Sequence, residues 1–302
     1  MKRVLVTGAN GLLGQKIIMG YAGDPQVALC ATARGESRLN PSIFLHPHTE
    51  YHSLDIEKRE DWEAVLDTFR PEVVIHAAAM TQVDACEQDP DRCRSLNVEA
   101  VALGIRACEE RAIHFILLST DFIFNGEDGP YDETATPRPL SVYGHSKWEA
   151  EKRVQKALCP WSIARTVLVV GYVEGLSRSN IILWAKSALE KGQVVHVVND
   201  QVRTPTWAED LAEGCMSLAL RGEEGIFHLA GSETMNMHTL VMRVAEAYGL
   251  DSSLIHPVSS ETLNQPAKRP SDTQFIIEKA RSVLNYEPHS FSYILQTFQD
   301  VH

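Results

Sequence analysis

The chain has 302 residues, a formal net charge of −12, 44% hydrophobic residues and 23% charged residues. That balance is ordinary for a globular protein of one large domain or two modest ones, and the acidic excess argues against a nucleic-acid surface or an anionic membrane as partner. No apolar run approaches the ~20 residues of a membrane span, and six scattered cysteines with no CxxC pair read as reduced thiols in a cytoplasmic protein.

The amino terminus, KRVLVT, is a short apolar strand that runs straight into Gly8-Ala9-Asn10-Gly11-Leu12-Leu13-Gly14 and then a helix. So early a glycine turn does not read as a signal peptide. Strand, glycine turn and helix start form the diphosphate cradle of a dinucleotide fold. Gly8 allows the tight turn, Gly11 lets backbone approach a pyrophosphate, and Gly14 lets the helix pack closely on the sheet. The spacing, GxxGxxG, is one residue longer than the GxGxxG fingerprint. A second apolar strand, VALCATA, ends at Arg34. An Asp or Glu about here would hold a ribose 2′-hydroxyl, whereas an Arg accommodates a 2′-phosphate. No acid stands at Ala33 or Arg34, so the reading favours NADPH, with NADH possible and Arg38 as a helper; Arg34 as an ordinary exposed charge fits the same residues.

Residues 35–50 read as a loop. Its His46 and His48 have no third ligand near them in sequence, and no metal site is predicted. A third strand covers 51–54 and is followed by Asp55-Ile56, then a helix over 59–69 that Pro71 stops. Residues 73–76 form the fourth strand, followed by Ala77, Ala78 and Ala79, a loop over 80–84, and a helix over about 91–111 that contains Asn97. The fifth strand, 113–118, delivers Ser119, Thr120 and Asp121 to its carboxyl end. In a doubly wound sheet ligands sit at the carboxyl ends of the strands, and four loops converge there: after Thr7, Ala33, His76 and Leu118.

If Ser141 caps a helix, Tyr143 and Lys147 lie one turn apart on one face. An ammonium so placed favours the phenolate and should draw the tyrosine below its usual value of about 10. Such a tyrosine can exchange a proton with a sugar or alcohol oxygen, and Thr120 could hold that oxygen. The spacing by itself also describes many surface helices. A sixth strand over 161–170 carries Arg165, which needs a partner if buried. Beyond it the pattern predicts helices over 180–191, 207–220 and 237–248, a polar turn over 201–206, a strand over 226–229 and irregular chain over 252–275.

Taken together, TGANGLLG, HAAAMTQVDACEQDP, Asn97, STDFIFNG and YGHSK occur in an order and spacing that resembles the extended short-chain dehydrogenases/reductases. YDETATPRPLSVYGHSK, DQVRTPTWAEDLA and Arg269-Pro270 are similar to the dTDP-4-dehydrorhamnose reductase branch. The resemblance implies an α/β fold: a Rossmann-type doubly wound parallel sheet over 1–170, with a smaller substrate-binding domain mainly in 171–302, some of whose segments return to the sheet. It implies reduction, with NADPH, of the 4-keto group of a nucleotide-linked 6-deoxyhexose by Thr120, Tyr143 and Lys147. Cofactor contacts would come from Gly8, Asn10, Gly11, Leu12, Leu13, Gly14 and Arg34, from Asp55 and Ile56 beside the adenine, and from Ala77, Ala78 and Ala79 along the ribose and nicotinamide. Tyr143 and Lys147 would complete that set, and Asn97 would order a water beside the lysine. The substrate would meet Thr81, Val83, Asp84, Asp121, Phe122 and Trp207. Arg203 and Arg269 suit its diphosphate, though each could equally form a surface salt bridge.

Three rivals are implied as well. A 4,6-dehydratase carries Asp-Glu after the threonine; here Phe122 takes the Glu position and breaks the acid pair. An NAD-dependent epimerase would regenerate its cofactor each turnover. A non-catalytic NADP-binding regulatory subunit of the methionine adenosyltransferase type could retain the same motif. A homodimer is the assembly the resemblance suggests.

Overall fold

Seven parallel strands form the central sheet of the computed structural model, which describes residues 1–173 and 180–301. In chain order they are β1 (Lys2–Thr7), β2 (Val27–Ala33), β3 (Thr49–Ser53), β4 (Val73–His76), β5 (His114–Thr120), β6 (Trp161–Thr166) and a last strand, Gly225–His228. Across the sheet they lie as Gly225–His228, β6, β5, β4, β1, β2, β3. The order reverses between β1 and β4, and that switch point opens the crevice where such sheets bind ligands.

Alternation along each strand splits the core into two layers. Val4, Val6, Leu29, Val73, Ile75 and Ile116 face one side, where helix α1 (Leu12–Tyr21) and the Ala208–Arg221 helix cover them. Leu5, Ala28, Val74, Phe115 and Leu117 face the other, under α2 (Arg59–Phe69) and the Ala100–Glu109 helix. Because both faces are covered, β4 and β5 are buried at every residue, and their sequences are near-continuous apolar runs. Trp62 anchors the second layer: it is wholly buried and its Nε1 donates to the Ile56 carbonyl at 3.0 Å.

The second half contributes a third core, built from Ile182, Leu240, Val241, Val244, Phe291, Ile294 and Phe298. Its Ile181–Glu190 helix starts at Asn180, whose side chain accepts from the backbone of Ile182 and Leu183. The Ala208–Arg221 helix and the Gly225–His228 strand join the first core instead, and the latter pairs in parallel with β6.

Several elements differ from the sequence reading. The expected helix over 91–111 is three pieces: Pro90–Arg94, a π-turn at Ser95–Glu99, and Ala100–Glu109. The expected strand over 161–170 breaks after Thr166 and resumes at Val169–Val170, which pairs with Thr206–Trp207. Val195–Val198 and Ile255–Val258 pair as a small parallel sheet, in stretches of four residues too short to signal strands. The loop after β2 contains a 3₁₀ turn, Pro41–Leu45, capped by Asn40.

Candidate active site

At the end of β1 the chain turns through Gly8 at φ +70°, a conformation that favours glycine. A Cβ on Gly8 would stand 2.8 Å from the Ala78 nitrogen. One on Gly14 would strike the Gly8 carbonyl and stand 2.7 Å from the Ala9 Cα. Gly11 caps α1 with no side-chain hydrogen bond, so no side chain competes for the first backbone N–H groups of that helix. Leu12 and Leu13 are half-buried beside it. Asn10 reaches across to the loop after β2: its Nδ2 donates to the Glu36 carbonyl at 2.9 Å and its Oδ1 accepts from the Arg38 nitrogen at 2.8 Å. This fixes the loop that carries Arg34 and Arg38, both exposed at the rim.

The end of β4 lies beside this turn. Thr7 Oγ1 is 3.1 Å from His76 Nδ1 and accepts from the Ala78 nitrogen at 3.2 Å. Ala77, Ala78 and Ala79 are half-buried and line the path away from the strand. Asp55 stays at the rim with its Oδ1 accepting from the Glu57 nitrogen at 3.1 Å, and Ile56 beside it is buried at the edge of the second core layer. The hydrophobic surroundings of Trp62 claim it.

The Val142–Val154 helix begins as expected at Ser141, whose Oγ accepts from the Gly144 nitrogen at 3.2 Å. Tyr143 and Lys147 are both buried on it, with Thr120 at the tip of β5 among the groups close enough to act on the Tyr143 phenol. The phenol is therefore turned toward the strand tips. Its acidity differs from the expectation. Burial among Cys86, Cys93, Val83 and Phe122 pushes the phenol well above its usual value, the nearby Thr120 hydroxyl opposes this only in part, and Asp121 raises it further. Desolvation outweighs any pull from the lysine. Lys147 is itself drawn down to about 8 by burial, with Glu151 opposing the fall.

Thr120 is busy as well: its hydroxyl donates to Asp121 Oδ1 at 3.0 Å and accepts from the Phe122 nitrogen at 3.2 Å. Asn97 sits in the π-turn, wholly buried. Its Oδ1 accepts from the Met80 nitrogen at 2.8 Å, and its Nδ2 donates to the Met80 carbonyl and to Ser146 Oγ, each at 3.0 Å. Asn97 thereby clamps the loop after β4 onto the helix of Tyr143 and Lys147.

The expected substrate residues separate into two groups. Thr81 is exposed, and Val83, Asp84 and Phe122 are half-buried near Tyr143, with Phe122 meeting its ring edge-on at 5.8 Å. Asp121, Arg203 and Trp207 are instead structural. Arg203 is buried, lies 3.6 Å from Asp121, and donates to the carbonyls of Val202, Ser271 and Pro270. Asp121 also accepts from Thr273 at 2.5 Å. A guanidinium enclosed by one carboxylate and three carbonyls has its donors turned inward, away from any diphosphate. Trp207 is packed in the third core against His289 and Tyr293. Arg269 pairs with Asp84 at 2.7 Å, so these two rim residues hold each other across the cleft.

The sequence reading left one group without a partner and missed another. Arg165 finds Glu151, at 2.8 Å and with both side chains buried. Glu151 stands one turn beyond Lys147, so the i, i+4 spacing could have found it. Away from the cleft, Cys30, Glu50 and His52 bring ligating atoms within 4.8 Å of one another on β2 and β3. Burial pushes the Cys30 thiol far up, and Glu50 pairs with His52 at 3.3 Å.

A glycine cradle, a switch-point crevice and a Tyr–Lys helix at the strand tips define an extended short-chain dehydrogenase/reductase. The model of the RmlD substrate binding domain family matches residues 1–301, and the chain belongs to that family. Methionine adenosyltransferase 2 subunit beta of Danio rerio is 30% identical over 278 residues, 90% of this chain and 82% of that one. A probable low-salt glycan biosynthesis reductase of Haloferax volcanii is 32% identical over 269 residues, 88% of this chain and 86% of that one. The dTDP-4-dehydrorhamnose reductase structure from Clostridium acetobutylicum superposes with a TM-score of 0.84 at 25% identity, covering 99% of each chain. The Bacillus anthracis dTDP-4-dehydrorhamnose reductase, solved with NADP, gives a TM-score of 0.83 at 24% identity with both chains covered in full, a likeness of fold.

Proposed function

We propose that this protein uses NADPH to reduce the 4-keto group of a nucleotide-linked 6-deoxyhexose. The observation that carries the reading is the buried Tyr143 phenol set beside Thr120 at the tip of β5, with Lys147 one turn further along the same helix. The residues fit a dinucleotide: Gly8 and Gly14, where a Cβ would collide with neighbouring backbone, let the turn, the helix and the end of β4 pack closely, and α1 leaves its first N–H groups to meet a pyrophosphate. Arg34 and Arg38 stand where a 2′-phosphate would lie. When bound, the reduced nicotinamide supplies the hydride for the ketone carbon.

The protein's own part is acid catalysis and placement. A general acid must hold its proton at rest, and burial keeps the Tyr143 phenol protonated. As negative charge grows on the C4 oxygen, Tyr143 gives up that proton. Thr120 turns its O–H from Asp121 to the same oxygen, a donor placed for the transition state. Lys147, an ammonium at neutral pH, stabilises the phenolate that remains. Phe122 beside Thr120 leaves no second acid to remove water from the sugar, which favours reduction over dehydration.

The test is turnover: NADPH with a dTDP-4-keto-6-deoxyhexose, read by the loss of reduced-nicotinamide absorbance. Product with the C4 hydroxyl supports the reading, and an unchanged absorbance with NADPH bound sinks it. The likeness to methionine adenosyltransferase 2 subunit beta favours a second reading, an NADP-binding subunit that serves a methionine adenosyltransferase. NADPH binding without sugar turnover, together with a stable complex with a methionine adenosyltransferase catalytic subunit, would select it.

A further inference from the structure

The three residues assigned to the reaction come from two elements, Thr120 from β5 and Tyr143 and Lys147 from the Val142–Val154 helix. One carboxylate joins them. Glu151 is wholly buried, one turn beyond Lys147. Its Oε1 accepts from the hydroxyl of Ser119, the residue before Thr120, at 2.5 Å. Arg165 on β6, which is in register with Ser119, donates to the same carboxylate through Nε at 3.1 and 3.3 Å and through Nη2 at 2.8 Å. The arginine is fixed in turn: its Nη1 lies 3.4 Å from His228 Nε2, and its guanidinium lies over the Phe124 ring at 5.5 Å. No part of this cluster is used by the chemistry proposed above.

We infer that Glu151 is a positioning residue, whose carboxylate locks the helix of Tyr143 and Lys147 to the strand tip of Thr120 and faces the lysine ammonium with the nearest full negative charge. This rests on the reading of those three residues as the reacting group. A neutral amide in place of Glu151 could keep the hydrogen bond to Ser119 but not the charge, so the two parts of the role can be separated.

The groups that face Lys147 are few. Glu151 comes from its own helix, Cys86 from the Val83–Gln88 helix, Cys93 from the Pro90–Arg94 helix and His76 from the end of β4. Among these, Glu151 is the carboxylate. Removing its charge takes away the largest opposition to burial, and the ammonium should lose its proton at lower pH.

The experiment uses the full chain labelled with ¹⁵N-lysine, the Lys147 Nζ signal being assigned with Lys147→Arg. In Glu151→Gln the Lys147 titration midpoint should move down by about one pH unit. Should the single variant fold poorly because Arg165 is left without its partner, Glu151→Gln/Arg165→Gln removes both charges, and a downward shift of smaller size is expected there, since losing the more distant cation returns part of it. In steady-state assays kcat should fall about tenfold, its alkaline limb moving with the NMR midpoint, while the KM for NADPH holds. A Lys147 midpoint that stays in place in both variants overturns the inference, whatever happens to melting temperature. The NMR titration reads Glu151 even in a protein that turns over no sugar nucleotide, so it fails or succeeds independently of the proposed reaction.

Discussion

Tyr143 keeps its proton because water is kept away from it. Met80, Val83, Cys86, Cys93, Phe122 and Val142 enclose the ring, and burial dominates over the nearby Thr120 hydroxyl, the one neighbour that favours ionisation. A phenol held this way is a reservoir for one proton, released only when an oxygen with growing charge arrives. Tyr143→Phe keeps the ring and its packing and removes the proton. The expected result is a kcat lower by ~100-fold or more with little change in NADPH affinity; near-normal turnover would take the tyrosine out of the mechanism. Thr120→Val removes the hydroxyl donor while keeping the size of the side chain, and should lower kcat by roughly 100-fold with circular dichroism unchanged. Arg34 is a different kind of residue, exposed and carried on a loop at the rim. Arg34→Ala should raise the Kd for NADPH about tenfold, the scale of one charged hydrogen bond, and leave NADH nearly unaffected. Equal loss for both cofactors would show that Arg34 does not meet the 2′-phosphate.

At the scale of elements, the site is held by clamps between segments far apart in sequence. Asn97 joins the loop after β4 to the Tyr143 helix, and the π-turn that carries it has the extra residue that such turns insert at functional positions. Asp121, Arg203 and Thr273 tie the tip of β5 to the second half of the chain. Breaking a buried pair from one side is costly, so Arg203→Met should destabilise the fold by about 3–5 kcal/mol, measured as a lower denaturation midpoint. Adding Asp121→Asn should recover a large part of that loss. What was legible in the sequence follows from the same distinction. The glycine turn, the six main strands and the Tyr–Lys helix are local patterns, and each appears in a single stretch of chain. Arg203 looked like a diphosphate ligand because its enclosure by Asp121, Val202, Pro270 and Ser271 is made by the fold, and nothing in QVRTPT announces it. Glu151 is different: its i, i+4 spacing from Lys147 is local, and the unpartnered Arg165 marked where to search. The phenol's acidity was misjudged because spacing shows a neighbouring ammonium and does not show desolvation.

Across the whole molecule, three buried histidines make the fold sensitive to acid. His76 lies in the second core layer between Trp62 and Phe115, His228 stacks on Phe275 at 3.8 Å, and His114 meets Ser162 Oγ at 2.7 Å. Burial drives His76 and His228 down to about 3 and His114 down to about 4. In the unfolded chain each imidazole takes up a proton near its ordinary value of about 6.5. Between these limits the unfolded state binds more protons, so stability rises with pH, by about 1.4 kcal/mol per pH unit for each histidine. The contribution is complete above about pH 6.5 and is lost as pH falls from there toward 4. Asp121 and Glu133, whose carboxyls burial holds above their ordinary range, work in the opposite sense and offset part of the slope. The three histidines outnumber these two acids, and they sit at separate places in the core, so the loss should be a cooperative weakening of the entire fold. Denaturant midpoints measured from pH 8 down to pH 4 should therefore fall steadily below pH 6.5. In His76→Gln the slope should shrink by about one proton. The glutamine amide could still meet the Thr7 hydroxyl, so the midpoint at pH 8 should change less than the slope does. A profile that stays flat between pH 6.5 and 4.5 would mean that these imidazoles already reach water in the folded chain.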